Sequence, residues 1–388
     1  MMSKLNELIK ELCPNGVEYK PLKLCTEMKR GTSVTKKDVT DGNIPVISGG
    51  REPAYMCDKY NRENETITVA GSGAGAGYVQ YWNKPIFVCD AFSVKGVENV
   101  SEKYIFYCLE NIQEKIYSTK KGSGVPHVHI SSIENFPIPL PPLPVQEEIV
   151  HILDNFKELT TELTTELTAR KKQYEYYRDS LLVFDDEIKY KLFGEVAKIQ
   201  RGASPRPIAK FITEEENGIP WIKIGDTTPN SKYVNSTDQK ITKEGASKSR
   251  ILKKGDFIIS NSMSFGRPYI LNIDGAIHDG WASISNFNGE LNSDFLYHFL
   301  SSKQVQHYWN NRINNGSVSN LNADIIKSLL IPIPPLSEQQ RIVDILDRFD
   351  ILCNDVSSGL PGEIKARQQQ YEYYRKKLLT FKNIDAEV

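Results

Sequence analysis

The chain has 388 residues, 39% hydrophobic and 25% charged, which is enough apolar material for a packed core and excludes a globally disordered chain. Its 48 Lys and Arg side chains balance 49 Asp and Glu, so the net charge of −1 excludes a histone-like basic binder but not locally basic faces. No apolar stretch is long enough to cross a membrane, and the six scattered cysteines, without a Cys-x-x-Cys pair, suit the reducing cytoplasm.

Residues 1–13 alternate Leu and Ile with Lys, Glu and Asn, without the apolar block of a signal peptide. A variable block follows over 14–137, in which short β-branched or aromatic segments are separated by Gly, Pro, Asn and Asp, the pattern of strands and turns. Residues 66–77, TITVAGSGAGAG, look like a dinucleotide-binding turn with Asp90 downstream. Only residues 78–85 separate Gly77 from Ile86, too few for a crossover helix, so the segment predicts a tight hairpin or a close approach of backbone to a phosphate. His127-x-His129 could offer two metal ligands. The matching positions of a second block are Asn320 and Asn322, so a polar-contact role shared by both blocks fits better.

Residues 138–185 form a second kind of segment. Pro139, Pro141 and Pro142 lead into a stretch, 145–184, without Gly or Pro, whose apolar positions Ile149, Ile152, Phe156, Leu159, Leu163, Leu167, Tyr174, Tyr177, Leu181 and Phe184 recur almost every three or four residues. That is one stripe on a helix about 60 Å long, which needs a partner.

The partner is a repeat. Residues 138–156, IPLPPLPVQEEIVHILDNF, return as IPIPPLSEQQRIVDILDRF at 331–349, and ARKKQYEYYRDSLLVF at 169–184 returns as ARQQQYEYYRKKLLTF at 366–381. The stripe of the second copy runs Ile342, Ile345, Phe349, Leu352, Val356, Leu360, Ile364, Tyr371, Tyr374, Leu378, Phe381, with a capping box expected at Ser337 and Gln340. The second copy is longer by one tetrad, and there Gly359, Pro361 and Gly362 interrupt the helix. The variable blocks align more weakly: Arg30-Gly31-Thr32-Ser33 with Arg201-Gly202-Ala203-Ser204, Tyr78-Val79 with Tyr269-Ile270, Gly122-Ser123 with Gly316-Ser317. Two domains of one fold and different polar surfaces, joined by two helices, suggest the reading of two different things at a set distance.

Catalytic, cofactor and metal sites are all read as none. There is no Gly-x-x-x-x-Gly-Lys-Ser/Thr and no Asp/Asn-Pro-Pro-Tyr/Phe, and Glu187-x-Lys189 and Glu363-x-Lys365 echo only half of a nuclease motif. The variable blocks carry net charges of +1 (14–137) and +3 (186–330), against −4 (138–185) and −1 (331–388) for the helical segments. Basic candidates for DNA contact cluster in the variable blocks: Lys29, Arg30, Lys36, Lys37, Arg51 and Arg62 in the first, and Arg201, Arg206, Lys210, Arg250, Lys253, Arg267 and Arg312 in the second. Tyr55, Tyr60, Tyr78, Tyr233, Phe265, Tyr269 and Trp281 are interleaved with them and expected in loops, where they suit base-edge readout. Candidates for the helix and subunit interface are Leu159, Leu163, Leu167, Tyr174, Tyr177, Tyr371 and Tyr374.

With ELCPNGVEY at 11–19, both Pro-rich leads, both QYEYYR helices and the ending SSGLPGEIKARQQQYEYYR, the whole chain resembles the specificity subunit of type I restriction–modification systems. The resemblance implies an α+β fold of two homologous target-recognition domains, each a mixed sheet with short helices, separated by two long antiparallel coiled-coil helices in a pseudo-twofold circular arrangement. The implied layout is an N-terminal helix (1–13), recognition domain one (14–137), central spacer helix (138–185), recognition domain two (186–330) and C-terminal spacer helix (331–388). The N-terminal helix would supply the missing end of the last one. The resemblance also implies a non-catalytic cytoplasmic subunit that reads a bipartite, asymmetric sequence in double-stranded DNA. It would dock two modification (methyltransferase) subunits and restriction (translocase/endonuclease) subunits, with S-adenosylmethionine, ATP and Mg on those partners and no membrane involvement. A stand-alone DNA-binding adaptor and a coiled-coil protein-interaction scaffold are the competing expectations.

Overall fold

A computed structural model describes residues 2–185, 187–228, 231–261, 265–287, 289–314 and 320–384. The chain forms two compact units: Met1–Glu162 with Lys365–Val388, and Leu163–Ile364. Gly316 and Ser317, aligned above with Gly122 and Ser123, lie outside the described residues.

In the first unit Thr66–Ala70 is buried at all five positions, as its β-branched sequence TITVA suits a central strand. It lies in an antiparallel sheet ordered Thr26–Arg30, Ala91–Gly96, Thr66–Ala70, Val79–Trp82. The pairing of Thr66–Ala70 with Val79–Trp82 makes the glycine-rich stretch a hairpin loop, as its length required. A smaller sheet orders Tyr55–Cys57, Ile44–Ile47 and Phe87–Val88, the last pair parallel, so the domain is mixed. Helices Glu102–Asn111 and Gln113–Ser118 complete it.

The second unit repeats the plan with two five-stranded sheets. One orders Lys198–Arg201, Trp281–Ser285, Phe257–Ser260, Pro268–Leu271 and Tyr233–Val234; the other holds Ile219–Ile222 parallel to Gly275–Ile277. Tyr269 and Trp281, expected in loops, are buried in these strands and pack on each other. Their bulk serves the core. In both units a two-stranded ladder ties the start of the domain to its end: Tyr19–Pro21 with Pro137–Pro139, and Tyr190–Leu192 with Leu330–Pro332.

The central spacer is one helix, Leu143–Leu181. Its Pro144 falls in the first turn, where the missing N–H costs nothing. The C-terminal spacer is two helices, Leu336–Asn354 and Leu360–Leu378, broken where the glycines and proline predicted an interruption. Gly359 has no room for a side chain: a Cβ there would collide with the carbonyl of Ile351 and lie 2.6 Å from that of Asp355. Val356 belongs to this break and is 73% exposed, so it leaves the apolar stripe. The capping box does not form. The helix begins at Leu336 with Pro335 in the cap position, and Gln340 bonds Asp344 and Asn292 instead.

Within each unit the helical segments run antiparallel. In the first, Phe156 stacks on Tyr374 at 5.3 Å while Lys157, one residue on, lies over Tyr371, three residues back. In the second, Phe349 stacks on Tyr177 (5.4 Å) and Tyr174 (6.4 Å). The N-terminal helix, Met2–Leu12, is an addition to the repeat and not the missing end of the last helix, since Leu360–Leu378 already reaches the counterpart of Leu181. The first and last segments of the chain meet within the first unit: Val17 pairs with Asn383, and Tyr19 Oη bonds both the carbonyl and the N–H of Phe381.

Candidate nucleic-acid interface

Strand ends of the larger sheet position the polar groups of each recognition domain. In the first unit, strand Thr26–Arg30 ends on Arg30, and the next residue must be glycine because a Cβ on Gly31 would enter the carbonyl of Cys89. That close approach sets Arg30 beside the loop carrying His127 and His129. Arg30 Nη2 lies 3.4 Å from His129 Nδ1, and the two imidazoles stack at 5.9 Å. The hairpin loop bridges to the same loop through Ser72 and His127, and the Ser72 hydroxyl bonds the Asp90 carboxylate. Arg51 lies over the ring of Tyr78 at 5.0 Å, and Lys36 and Lys37 are exposed on a turn.

The second unit builds the corresponding corner with other side chains. Gly202 approaches the carbonyl of His278 as Gly31 approaches Cys89. Arg201 Nε donates to the Asp279 carbonyl at 3.3 Å. The Asp279 carboxylate accepts from Ser204 Oγ at 2.9 Å and from Arg206 Nη2 at 3.4 Å. Partial burial pushes the Asp279 carboxyl up, but Ser204, His278 and Arg206 outweigh it and hold the group below the usual carboxylate range. A cleft of about 310 Å³ opens here, lined by Arg206, Ile208, Trp221, Lys223, Gln239 and Asp279 among others. Its mix of fixed acceptors and mobile donors can match the edge of a base, and Arg206, 84% exposed, can reach a phosphate.

The remaining candidates are dispersed. Arg62 donates to Ser93 Oγ and to the carbonyls of Asn61, Lys29 and Arg30, so it braces the sheet rather than facing outward. Lys29 is exposed on its strand, while Lys210 and Arg250 are exposed elsewhere. Lys253 pairs with Asp274 at 2.8 Å, Arg312 covers Tyr308 at 3.7 Å, and Arg267 covers Tyr269 at 5.4 Å. Tyr60 and Tyr233 are exposed, Tyr55 bonds the Val34 carbonyl, and Phe265 packs against the core. His129 and Asn322 do not share a role: Asn322 caps a short helix through Ile325 N, and His129 makes no such bond. The sequence reading missed Asp279 and Gln239, although the Arg-Gly alignment pointed to the corner that Asp279 occupies. Among the described residues no three His, Cys, Asp or Glu side chains are grouped to hold a metal, and no helix is long and apolar enough to cross a membrane.

The helix candidates fall into two fastenings of domain to spacer. Asp154 accepts from Tyr107 Oη and Lys103, both at 2.6 Å; its counterpart Asp347 meets His298 Nε2 at 2.7 Å and Lys232 at 3.0 Å. Lys232 also reaches Asp294 at 2.6 Å, and Tyr174 Oη lies 3.1 Å from His298 Nδ1. Burial pulls the Lys232 ammonium down, but the two carboxylates together hold it above its usual range. In the first unit Tyr371 bonds Glu110, and burial with that carboxylate pushes its phenol up. Tyr174 is thus buried, Tyr177, Tyr371 and Tyr374 stack or bond at helix contacts, and Leu163 and Leu167 are half-buried. Leu159 is 46% exposed and leaves the packed stripe.

The sequence profile of the type I restriction modification DNA specificity domain matches residues 14–171 and again 186–366. The specificity subunit of a type I restriction enzyme of Escherichia coli is 32% identical over 98% of each chain. A putative type I restriction enzyme specificity subunit of Haemophilus influenzae is 32% identical over 94% of this chain and 96% of its own. The crystal structure of the S subunit of a type I restriction–modification system from M. genitalium superimposes with a TM-score of 0.60 at 18% identity, covering 94% of this chain and 96% of that one.

Proposed function

The chain belongs to the DNA-specificity family of type I restriction–modification systems, and from that membership we propose how its parts divide the work. It is a specificity subunit with two target-recognition domains. Each domain reads one half of a bipartite, asymmetric target in double-stranded DNA, and the spacer helices set the number of unread base pairs between the halves. The corner around Arg30 and His129 serves one half-site, and the corner around Arg201, Arg206 and Asp279 serves the other. The spacers dock two modification subunits that bind S-adenosylmethionine and methylate adenine. Restriction subunits join with ATP and Mg to translocate and cut DNA, and the whole works in the cytoplasm. The chain itself carries no catalytic step.

One observation carries this reading: the same corner is built twice on one backbone plan, Gly31 against Cys89 and Gly202 against His278, with different polar side chains around it. Equal frames with unequal surfaces are what two unrelated half-sites require. The modest positive charge of the domains is consistent with an assembly in which partners supply much of the phosphate contact. Co-expression with a cognate modification subunit, followed by single-molecule sequencing of host DNA for N6-methyladenine, tests the assignment. A bipartite motif with two unrelated halves is the expected result; a soluble complex that leaves no motif refutes it.

A further inference from the structure

The two fastenings of domain to spacer correspond residue for residue, yet one is complete and the other is not. In the first unit Glu110, in the last turn of helix Glu102–Asn111, gathers Lys157 at 3.1 Å, Arg375 at 3.3 Å and the hydroxyl of Tyr371. The repeat puts Ser301 in the place of Glu110, Asp350 in that of Lys157, Arg178 in that of Arg375 and Tyr174 in that of Tyr371. Neighbouring contacts fix this register: Leu109 and Leu300 are both fully buried, and Tyr107 and His298 bond the matching aspartates Asp154 and Asp347.

Replacing the glutamate by serine removes the central carboxylate and leaves a cleft of about 250 Å³, lined among others by Arg178, Arg267, Tyr297, Ser301, Gln306 and Asp350. Arg178 lies over the Tyr174 ring and forms an ion pair with Asp179 at 3.5 Å, and its Nε, like that of Arg375 in the first unit, is buried without a hydrogen bond. Arg267 lies over the Tyr269 ring, with no ion pair to any described residue. Asp350 accepts from Asn354 Nδ2 at 2.8 Å, and no basic side chain comes within ion-pair distance of it among the described residues. The charged side chains that line the cleft are thus two guanidinium groups and one carboxylate, and Asp179, which pairs with Arg178 from outside the lining, is shared with Lys303 at 3.6 Å. A partly buried guanidinium whose donors are incompletely matched is costly, and its planar fork suits a carboxylate.

We propose that this cleft is a socket for one acidic side chain of a modification subunit, which supplies from outside the carboxylate that Glu110 supplies from within the first unit. The inference rests on the chain being a specificity subunit. Glu110 marks the occupant: the corresponding arginine in the same molecule already holds a carboxylate at this place. The two halves then offer unlike contacts to two copies of one partner, since one socket is plugged and the other is open.

The test measures assembly of the full-length chain with its modification subunit in the absence of DNA, for Arg178→Gln and for Ser301→Glu. Ser301→Glu transplants Glu110 and fills the socket from within, so it tests the idea even where Arg178→Gln folds poorly. Each variant is expected to weaken the subunit contact on this half by about tenfold, a loss typical of one truncated charge-assisted pair. Ser301→Glu should at the same time raise the thermal midpoint of the free chain. Wild-type assembly by a folded Ser301→Glu variant would overturn the socket. So would unchanged assembly with weakened DNA binding of the complex, which would make a backbone phosphate the occupant. Sequencing of methylated host DNA with the wild-type chain separates these results from failure of the functional reading, because only that failure abolishes the bipartite motif.

Discussion

Gln146 donates through Nε2 to the carbonyl of Pro141 at 2.8 Å, from a side chain buried at the start of the long helix. Its Oε1 accepts from Ser101 N at 3.0 Å, and Nε2 also reaches the Asn99 carbonyl at 3.4 Å. Gln339 repeats the arrangement with Pro334, Asn292 N and the Glu290 carbonyl, each at 2.8 Å. One carboxamide in each unit thus locks the Pro-rich lead, the start of a recognition-domain helix and the spacer to one another.

Gln146→Ala and Gln339→Ala should each destabilise the chain by about 1–3 kcal/mol, because each strands buried backbone groups without partners. Gln340→Ala, one residue away and bonded at the surface, should cost less than about 0.5 kcal/mol. Thermal unfolding of the three variants checks the order. Equal losses for Gln339→Ala and Gln340→Ala would remove the clamp from the account.

The clamp was hidden in plain view. The repeated Gln stands in both Pro-rich motifs, but a polar residue near a helix start suggests capping, and the spacing favours Ser337 and Gln340 for that role. Duplication, the spacer helix, the break near Gly359 and the hairpin at 66–77 were legible because periodicity, glycine and proline act locally. The roles of Arg62, Tyr269 and Trp281 were not. A basic or aromatic residue between turns carries the same local signal whether it faces solvent or a sheet interior, and only the strand pairing decides. The arginine–glycine corner was half legible: alignment found Arg30 and Arg201, while Asp279 and His129 come from loops distant in sequence.

Arg62 and Arg206 separate these two fates experimentally. Arg206→Gln should leave stability unchanged and lower the salt dependence of DNA binding by the assembled complex by about one ion, as loss of one phosphate contact requires. Arg62→Gln should leave that slope unchanged and destabilise the chain by about 1–3 kcal/mol through its lost bonds to Ser93 and three carbonyls. Binding curves across a potassium chloride series, beside thermal melts, read both quantities. A changed slope for Arg62→Gln would return that residue to the interface.

Asp347 gives the second unit an acid limb. Burial pushes its carboxyl up, but bonds to His298 and Lys232 more than offset this and hold the folded value below the ordinary one. A depressed carboxylate contributes stability that is fully present above the unfolded value of about 3.9 and is lost as pH falls through the folded value. Stability should therefore fall as the pH is lowered below about 4, and Asp347→Asn should flatten that part of the curve. Denaturant unfolding between pH 3 and 6, in the range around that unfolded value, provides the measurement. An unchanged acid slope in the variant would mean that other carboxylates carry it.

The spacer makes the most direct prediction about specificity. The tetrads KELT-TELT-TELT fill 157–168 of a helix that continues unbroken from Leu143 to Leu181. Four residues make slightly more than one turn, so removing 161–164 rotates the following helix by about 40° and shortens it by about 6 Å. At 3.4 Å per base pair that is nearly two steps of DNA. Leu159 is exposed and Leu163 only half-buried, so the cut falls where little packing is lost. Methylation by the deletion variant should keep both half-site sequences and shorten the unread gap by one or two base pairs, as the lost rise dictates. Altered half-sites with an unchanged gap would show that the tetrads shape the recognition domains instead of measuring the distance between them.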